Sequence, residues 1–195
     1  DKYKFFVTDL SSYDITDIYK LSELISKEYR IVPNKMGKLI TEVTDFNYIL
    51  INFPEEKEDV ICLTDILTFQ KSTSYLDISS YTSLYRNNWN ELWSKKIDYF
   101  EYQINQFGKK YPIIRNSFAY FCGLAENAIT YTNLFEIKNI VLSHKRIYKN
   151  MDFKNLYNPI NYIIDSKVRD VVEYFKNTFF KDKYLFDEIE YYVKY

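Results

Sequence analysis

Glycine is the residue this chain most nearly lacks, and that scarcity narrows the fold before any other feature does. Gly37, Gly108 and Gly123 are the only three in 195 residues, and each stands alone. Loops of the G-x-G-x-x-G and G-x-x-x-x-G-K-[ST] types need several glycines close together, because a backbone free of Cβ atoms is what lets them cradle phosphate. Rossmann and P-loop readings are therefore excluded. Cys62 and Cys122 lie 60 positions apart, no C-x-x-C occurs, and His144 is the sole histidine. Neither a zinc cluster nor a disulfide scaffold is supported by that inventory.

Charge closes two more classes. Lys plus Arg number 26 and Asp plus Glu 27, for a formal charge of -1 and a pI near 6.0, which removes the bulk attraction to nucleic acid or to an anionic membrane surface. No stretch approaches the roughly 20 apolar residues of a membrane span. No charged-then-apolar leader opens the sequence, which begins Asp1-Lys2 without Met, so an excised part of an intracellular protein is expected. Aromatic residues make up 19% of the chain, with 21 tyrosines. They fall at helical spacing without a net positive charge, so packing in cores and interfaces explains them better than stacking on bases or sugars.

Periodicity supplies the order of elements. Lys4-Phe5-Phe6-Val7-Thr8 is a short β-prone run, followed by turn residues and a helix whose face is Ile15, Ile18, Ser22, Ile25 and Tyr29, ended by Pro33-Asn34. Lys38 to Val43 and Phe46 to Asn52 flank Thr44-Asp45 and read as a tight hairpin. Pro54 and the acidic run Glu55 to Asp59 form a charged break, a solvated loop that sets a lobe boundary at residue 59. Beyond it, one helix runs from about Tyr81 to Gly108 and another from after Pro112 through Ile129. Gly123, Ala125 and Ala128 would let a neighbouring helix come close. Two brief strands, Ile140-Val141-Leu142 and Tyr162-Ile163-Ile164, bracket a loop. A helix on Val168, Val171, Val172 and Phe175 follows, and a short one spans Asp187 to Tyr195. This is an α+β layout with helices segregated to the second half.

His144 needs a third group to orient its ring before it can serve a nucleophile, and Ser143 beside it in sequence does not supply one. On its own it reads as a structural histidine. Its context adds more: a short apolar run, His144, a loop, a second apolar run and then Asp165. That order resembles the catalytic segment of protein-kinase-like and aminoglycoside-phosphotransferase-like enzymes. More closely, Leu142-Ser143-His144-Lys145-Arg146-Ile147, Asp152-Phe153, Tyr157-Asn158-Pro159-Ile160-Asn161 and Ile164-Asp165-Ser166-Lys167-Val168-Arg169-Asp170 resemble the spore-coat-associated branch of that superfamily in spore-forming Firmicutes. Trp89, Trp93, Asp98 and the Gly123 to Ala128 segment agree with its helical region. The resemblance implies a two-lobed kinase-like fold, with residues 1–59 a partial small lobe and residues 60–195 a mainly helical large lobe.

Carried over residue by residue, the resemblance argues against catalysis. In active members the second residue after the His is an Asp that accepts or orients the substrate hydroxyl proton. Here it is Arg146, which cannot act as a base because its pKa exceeds about 12. The Asn expected five residues later is Met151, whose thioether ligates hard Mg²⁺ poorly. Asp165 stands where the metal-binding Asp would be. Read from the residues alone, it is better taken as an N-cap for a helix over Ser166 to Lys176 than as a metal ligand. Asp152 is the nearby acid that could substitute for the missing groups. No phosphate-binding lysine is evident in Lys4 to Thr8, and the Gly-rich hairpin is absent.

The expectation is a catalytically inactive, kinase-like scaffold for spore-coat assembly, in the mother-cell cytoplasm or the coat, with a coat protein as partner. It needs no cofactor, binds no nucleic acid and enters no membrane. Arg146 is expected to pair with Asp165 or Asp170 and close the cleft, leaving an exposed aromatic patch for the partner. The alternative is a small-molecule phosphotransferase using Mg-ATP, with Asp165 on the metal and Asp152 as the second acid.

Overall fold

The structure is a computed structural model that describes residues 4–10, 15–25, 31–43, 46–53, 60–79, 81, 84–86, 88–135, 139–148, 150–178 and 185–194. The contacts divide these residues into a unit of residues 1–85 with 140–195 and a helical unit of residues 86–139. The charged break at Pro54 to Asp59, where the sequence sets its lobe boundary, lies outside the described residues.

The first unit opens with β1 (Lys4–Asp9), α1 (Ile15–Ile25), β2 (Ile40–Val43) and β3 (Phe46–Phe53). β3 is central in the order β1-β3-β2, antiparallel to both neighbours, with Val7 opposite Leu50 and Ile40 opposite Ile49. The first strand and the pairing of the two hairpin strands therefore stand as the sequence implies, and the turn at Thr44-Asp45 lies outside the described residues. Ile18, Leu21 and Ser22 of α1 are buried together with Leu10, Ile40 and Ile49, as a 3.6-residue repeat against an alternating sheet face requires. Before β2 the chain turns on Asn34, whose Oδ1 accepts from the Met36 and Lys38 amides at 2.9 and 3.0 Å. Gly37 closes that turn at φ 78°, a left-handed conformation that costs other residues about 1–2 kcal/mol.

α2 (Leu63–Thr73) is an element the sequence reading does not anticipate. Three of its six inward positions are polar, Asp65, Gln70 and Thr73, so the apolar period is broken. Its N-terminal residue is Cys62 rather than Ser, Thr, Asp or Asn. Asp65 stabilises that end instead, accepting from the Cys62 amide at 2.9 Å and from its thiol at 3.1 Å. The fully buried ring of Phe69 anchors the helix, and burial of a phenyl side chain contributes roughly 1.5–3 kcal/mol.

β4 (Ile140–His144) and β5 (Tyr162–Ser166) pair antiparallel, with Val141 opposite Asp165 and His144 opposite Tyr162. Between them lie α5 (Phe153–Leu156) and a single 3-10 turn, Pro159–Asn161. α6 (Arg169–Thr178) and α7 (Leu185–Lys194) follow. Tyr85 bridges to Ile164 in parallel. The expected helix from Tyr81 therefore begins later, because the backbone around residue 85 is committed to β5.

The second unit is a helical hairpin: α3 (Trp89–Phe107), a 3-10 turn at Gly108–Lys110, and α4 (Pro112–Leu134), which starts with proline at its first position. α3 and α4 pack on each other, and Asn90 donates to Asn133 at 2.6 Å between them.

Candidate functional site

The two strands β4 and β5 and the start of α6 bring His144, Asp165, Arg169 and Asp170 together. His144 and Asp170 are both fully buried. Asp170 accepts the His144 backbone amide on Oδ1 at 2.8 Å and meets His144 Nδ1 with Oδ2 at 2.7 Å. The other ring nitrogen, Nε2, lies 2.8 Å from the Leu156 carbonyl oxygen. A carbonyl can only accept, so Nε2 carries a hydrogen, and the Nδ1 to carboxylate separation needs a second hydrogen between them. Both nitrogens are spent on protein groups, which leaves His144 no free lone pair with which to take a proton. Phe69 and Tyr162 pack on the ring at centroid distances of 4.7 and 5.4 Å.

Arg169 is buried at the first position of α6 and serves three acceptors. Its Nε donates to the His144 carbonyl at 2.8 Å and its Nη2 to the Lys145 carbonyl at 2.6 Å. Its Nη1 lies 3.4 Å from Asp165 Oδ2. Asp165 Oδ1 accepts the Ser166 amide at 2.7 Å, and the Asp165 side chain is 2% exposed. A divalent cation needs an accessible, hard oxygen site with several donors. Asp165 as it stands does not fit one, since a guanidinium occupies its outer oxygen. Among the described residues no three His, Cys, Asp or Glu side chains form a cluster able to hold a metal.

Two expectations change here. The cation facing Asp165 is Arg169, not Arg146, and the partner of Asp170 is His144. Arg146 is exposed, because its place in the loop after β4 points its side chain away from the buried carboxylates. Asp165 is also not a helix cap. It lies within β5, four positions before α6 begins, so its backbone is committed to the strand pairing with Val141.

The loop after β4 is held through its backbone. Besides the two carbonyls bound by Arg169, the Asn161 side chain donates to the Arg146 carbonyl at 3.0 Å and accepts the Arg146 amide at 3.3 Å. The Lys145 amide donates to the Asn161 carbonyl at 2.6 Å, and Asn177 Nδ2 donates to the Ile147 carbonyl. Gln70 of α2 donates to the Lys167 carbonyl at 2.8 Å, fixing the turn between Asp165 and Arg169. Partial burial pushes the Lys145 ammonium below the usual lysine range, against the pull of Asp17. Its Nζ donates to the Ile160 carbonyl at 2.9 Å.

The remaining expected positions are elsewhere. Met151 is buried in the core, and its carbonyl accepts the Ile61 amide at 2.9 Å. Asp152 bridges to Val60 and precedes α5, where its Oδ1 accepts from Asn155 at 3.4 Å. Cys122 meets Glu101 at 3.4 Å, and desolvation together with that carboxylate pushes its thiol up. Asn177 and Gln70 lie outside the segments that carry the resemblance, and Asn161 stands within one without a role assigned to it. The order His144, loop, Asp165 was the signal in the sequence that joined two members of this cluster, whereas the pairing of Asp165 with Arg169 and of His144 with Asp170 had none.

In fold the chain is similar to a crystal structure of spectinomycin phosphotransferase, APH(9)-Ia, in complex with ADP and spectinomycin, at a TM-score of 0.58 and 12% identity over 89% of this chain. The chain spans 61% of that enzyme's length. Comparison with curated proteins gives no match. The α+β architecture is thus the kinase-like one, and a family model matching residues 5–194 places the chain in the family described as "Spore coat putative kinase YutH".

Proposed function

We propose that this chain is a kinase-like protein without phosphotransfer activity that acts as an interaction or scaffold component in assembly of the spore coat. The observation that carries the reading is the clasp on Asp165, buried and faced by Arg169 at 3.4 Å, where a phosphotransferase of this fold would present an open carboxylate to metal. The base position is filled by Arg146, and both nitrogens of His144 are bound by protein groups. In this reading the chain uses no cofactor. Its partner is a coat protein, met in the mother-cell cytoplasm or the coat, and residues 1–59 and 60–195 correspond to a partial small lobe and a large lobe. Exposed aromatic side chains on α3, including Phe100 and Tyr102, supply apolar surface for such a partner.

A second reading, an ATP-dependent small-molecule phosphotransferase, is favoured by the family's description as kinases. It requires Arg169 to release Asp165 and a second acid such as Asp152 to join it. Calorimetric titration of Mg-ATP into the folded chain separates the two. The expected result is no binding. Saturable, Mg²⁺-dependent binding that Asp165→Ala abolishes would establish the phosphotransferase reading instead.

A further inference from the structure

α4 carries two apolar faces, and only one of them is used inside its own hairpin. Phe118, Cys122, Ala125 and Ile129 recur at helical spacing on the side packed toward α3, where Ile129 is buried and Cys122 meets Glu101. On the far side a second stripe recurs every three or four residues: Ile113, Ser117, Tyr120, Leu124, Ala128, Tyr131 and Phe135. Its five large members are between 49% and 83% exposed. The helix has two charged residues, Arg115 and Glu126. At about 100° per residue both fall opposite the stripe, so roughly 140° of the circumference bears no charge at all. A spacing that averages 3.5 to 3.7 residues along six turns is the pattern of a helix that packs lengthwise against another helix.

We infer that this stripe is a homodimer interface, in which α4 of one copy lies antiparallel to α4 of a second copy about a two-fold axis at Leu124. The stripe's own residues point to a second copy, because it is self-complementary about its midpoint. A two-fold axis at Leu124 sets Ile113 opposite the partner copy's position 135, a Phe. It sets Ser117 opposite a Tyr at 131 and Tyr120 opposite an Ala at 128. Each small side chain meets a large one, as an isologous interface requires. Ser117 donates its hydroxyl to the Ile113 carbonyl at 3.0 Å, so it brings no unsatisfied polar group into the contact. Tyr131 and Phe135 are already stacked at 6.0 Å, presenting one flat surface. With about 150–250 Å² for each large aromatic side chain, the exposed parts of the stripe and of its neighbours Phe121 and Leu134 amount to something on the order of 800 Å² per copy. That matches the roughly 800 Å² per partner of a stable interface.

The test is the mass of the chain in solution by light scattering or sedimentation across micromolar concentrations. The expected wild-type species contains two chains. Ala128 is exposed, so Ala128→Tyr adds bulk that a single copy tolerates while setting Tyr against Tyr120 of the other copy, and the two-chain species is lost. Combining it with Tyr120→Ala exchanges large and small across the axis and restores the dimer. Leu124→Glu, which places two carboxylates at the axis, gives monomer independently of that exchange, with circular dichroism confirming that each variant is folded. A monomeric wild type overturns the proposal, and so does a dimer that survives both Ala128→Tyr and Leu124→Glu.

Discussion

Arg169 stands 3.4 Å from Asp165 while two of its other nitrogens hold the carbonyls of His144 and Lys145. One buried guanidinium thus neutralises the carboxylate of β5 and fixes the loop that follows β4. The two tasks are inseparable, because a guanidinium offers five donors in a rigid fork and a buried one must satisfy them. The residue that occupies Asp165 also sets the shape of the loop that carries Arg146.

Arg169→Met is expected to destabilise the chain by about 3–5 kcal/mol, since it leaves Asp165 buried without its cation and frees two carbonyls. Asp165→Asn/Arg169→Met is expected to be less damaging than the two single changes added together, by about 1–3 kcal/mol. Denaturant unfolding of the four proteins measures this coupling. Strict additivity would show that the 3.4 Å contact contributes nothing.

The His144 and Asp170 pair makes a graded prediction. An amide at position 170 can still accept the His144 backbone amide and can donate to Nδ1, so Asp170→Asn is expected to cost only about 1 kcal/mol. Asp170→Ala leaves a buried N–H and a ring nitrogen unpaired and is expected to cost about 3–5 kcal/mol. Equal losses in the two variants, read from unfolding midpoints, would mean that the carboxylate charge rather than the hydrogen bonding is what matters.

The parts of this molecule that were legible in the sequence are those where side-chain period and local chemistry agree. The paired strands β2 and β3, the strand pair bracketing the loop after His144 and the helices around Phe118 and Val171 all have apolar residues at the period of their element. α2 did not, because Asp65, Gln70 and Thr73 face inward and Cys62 occupies its cap. At the site, the substitution of Arg146 for an acid was readable, but its partner was not. Pairing depends on which side chains the strand register and the first turn of α6 turn inward, and two arginines 23 positions apart look alike until that geometry exists. Asn161 and Asn177 act on backbone groups, which leave no trace in a pattern of residue types.

The glycines separate backbone effects from packing. A Cβ at Gly37 or at Gly123 would meet nothing within 4 Å, so neither substitution creates a clash. Gly37→Ala is expected to destabilise by about 1–2 kcal/mol because φ is 78° there, and Gly37→Asn by less, since Asn tolerates that region. Gly123→Ala, inside α4, is expected to stabilise by about 0.5–1 kcal/mol through helix propensity and a less flexible unfolded chain. Thermal unfolding that shows the same sign for both would contradict the assigned backbone geometry.

Asn161 makes the rigidity of the loop after β4 measurable without disturbing its buried core. Its side chain mimics a peptide group, donating to the Arg146 carbonyl and accepting the Arg146 amide. Asn161→Ala removes both bonds but leaves exposed partners that water can satisfy, so the global cost is expected to be only about 1 kcal/mol. The Arg146 amide should nevertheless exchange with solvent deuterium much faster, because a local opening replaces a held position. The Lys145 amide, bonded to the main-chain carbonyl of Asn161, should change far less. Asn161→Asp keeps the acceptor and sets a carboxylate oxygen against the Arg146 carbonyl, so it is expected to be the worse of the two variants despite its closer shape. If Arg146 exchange is unchanged in Asn161→Ala, then Arg169 and Asn177 alone suffice to hold the loop, and Asn161 is not one of its supports.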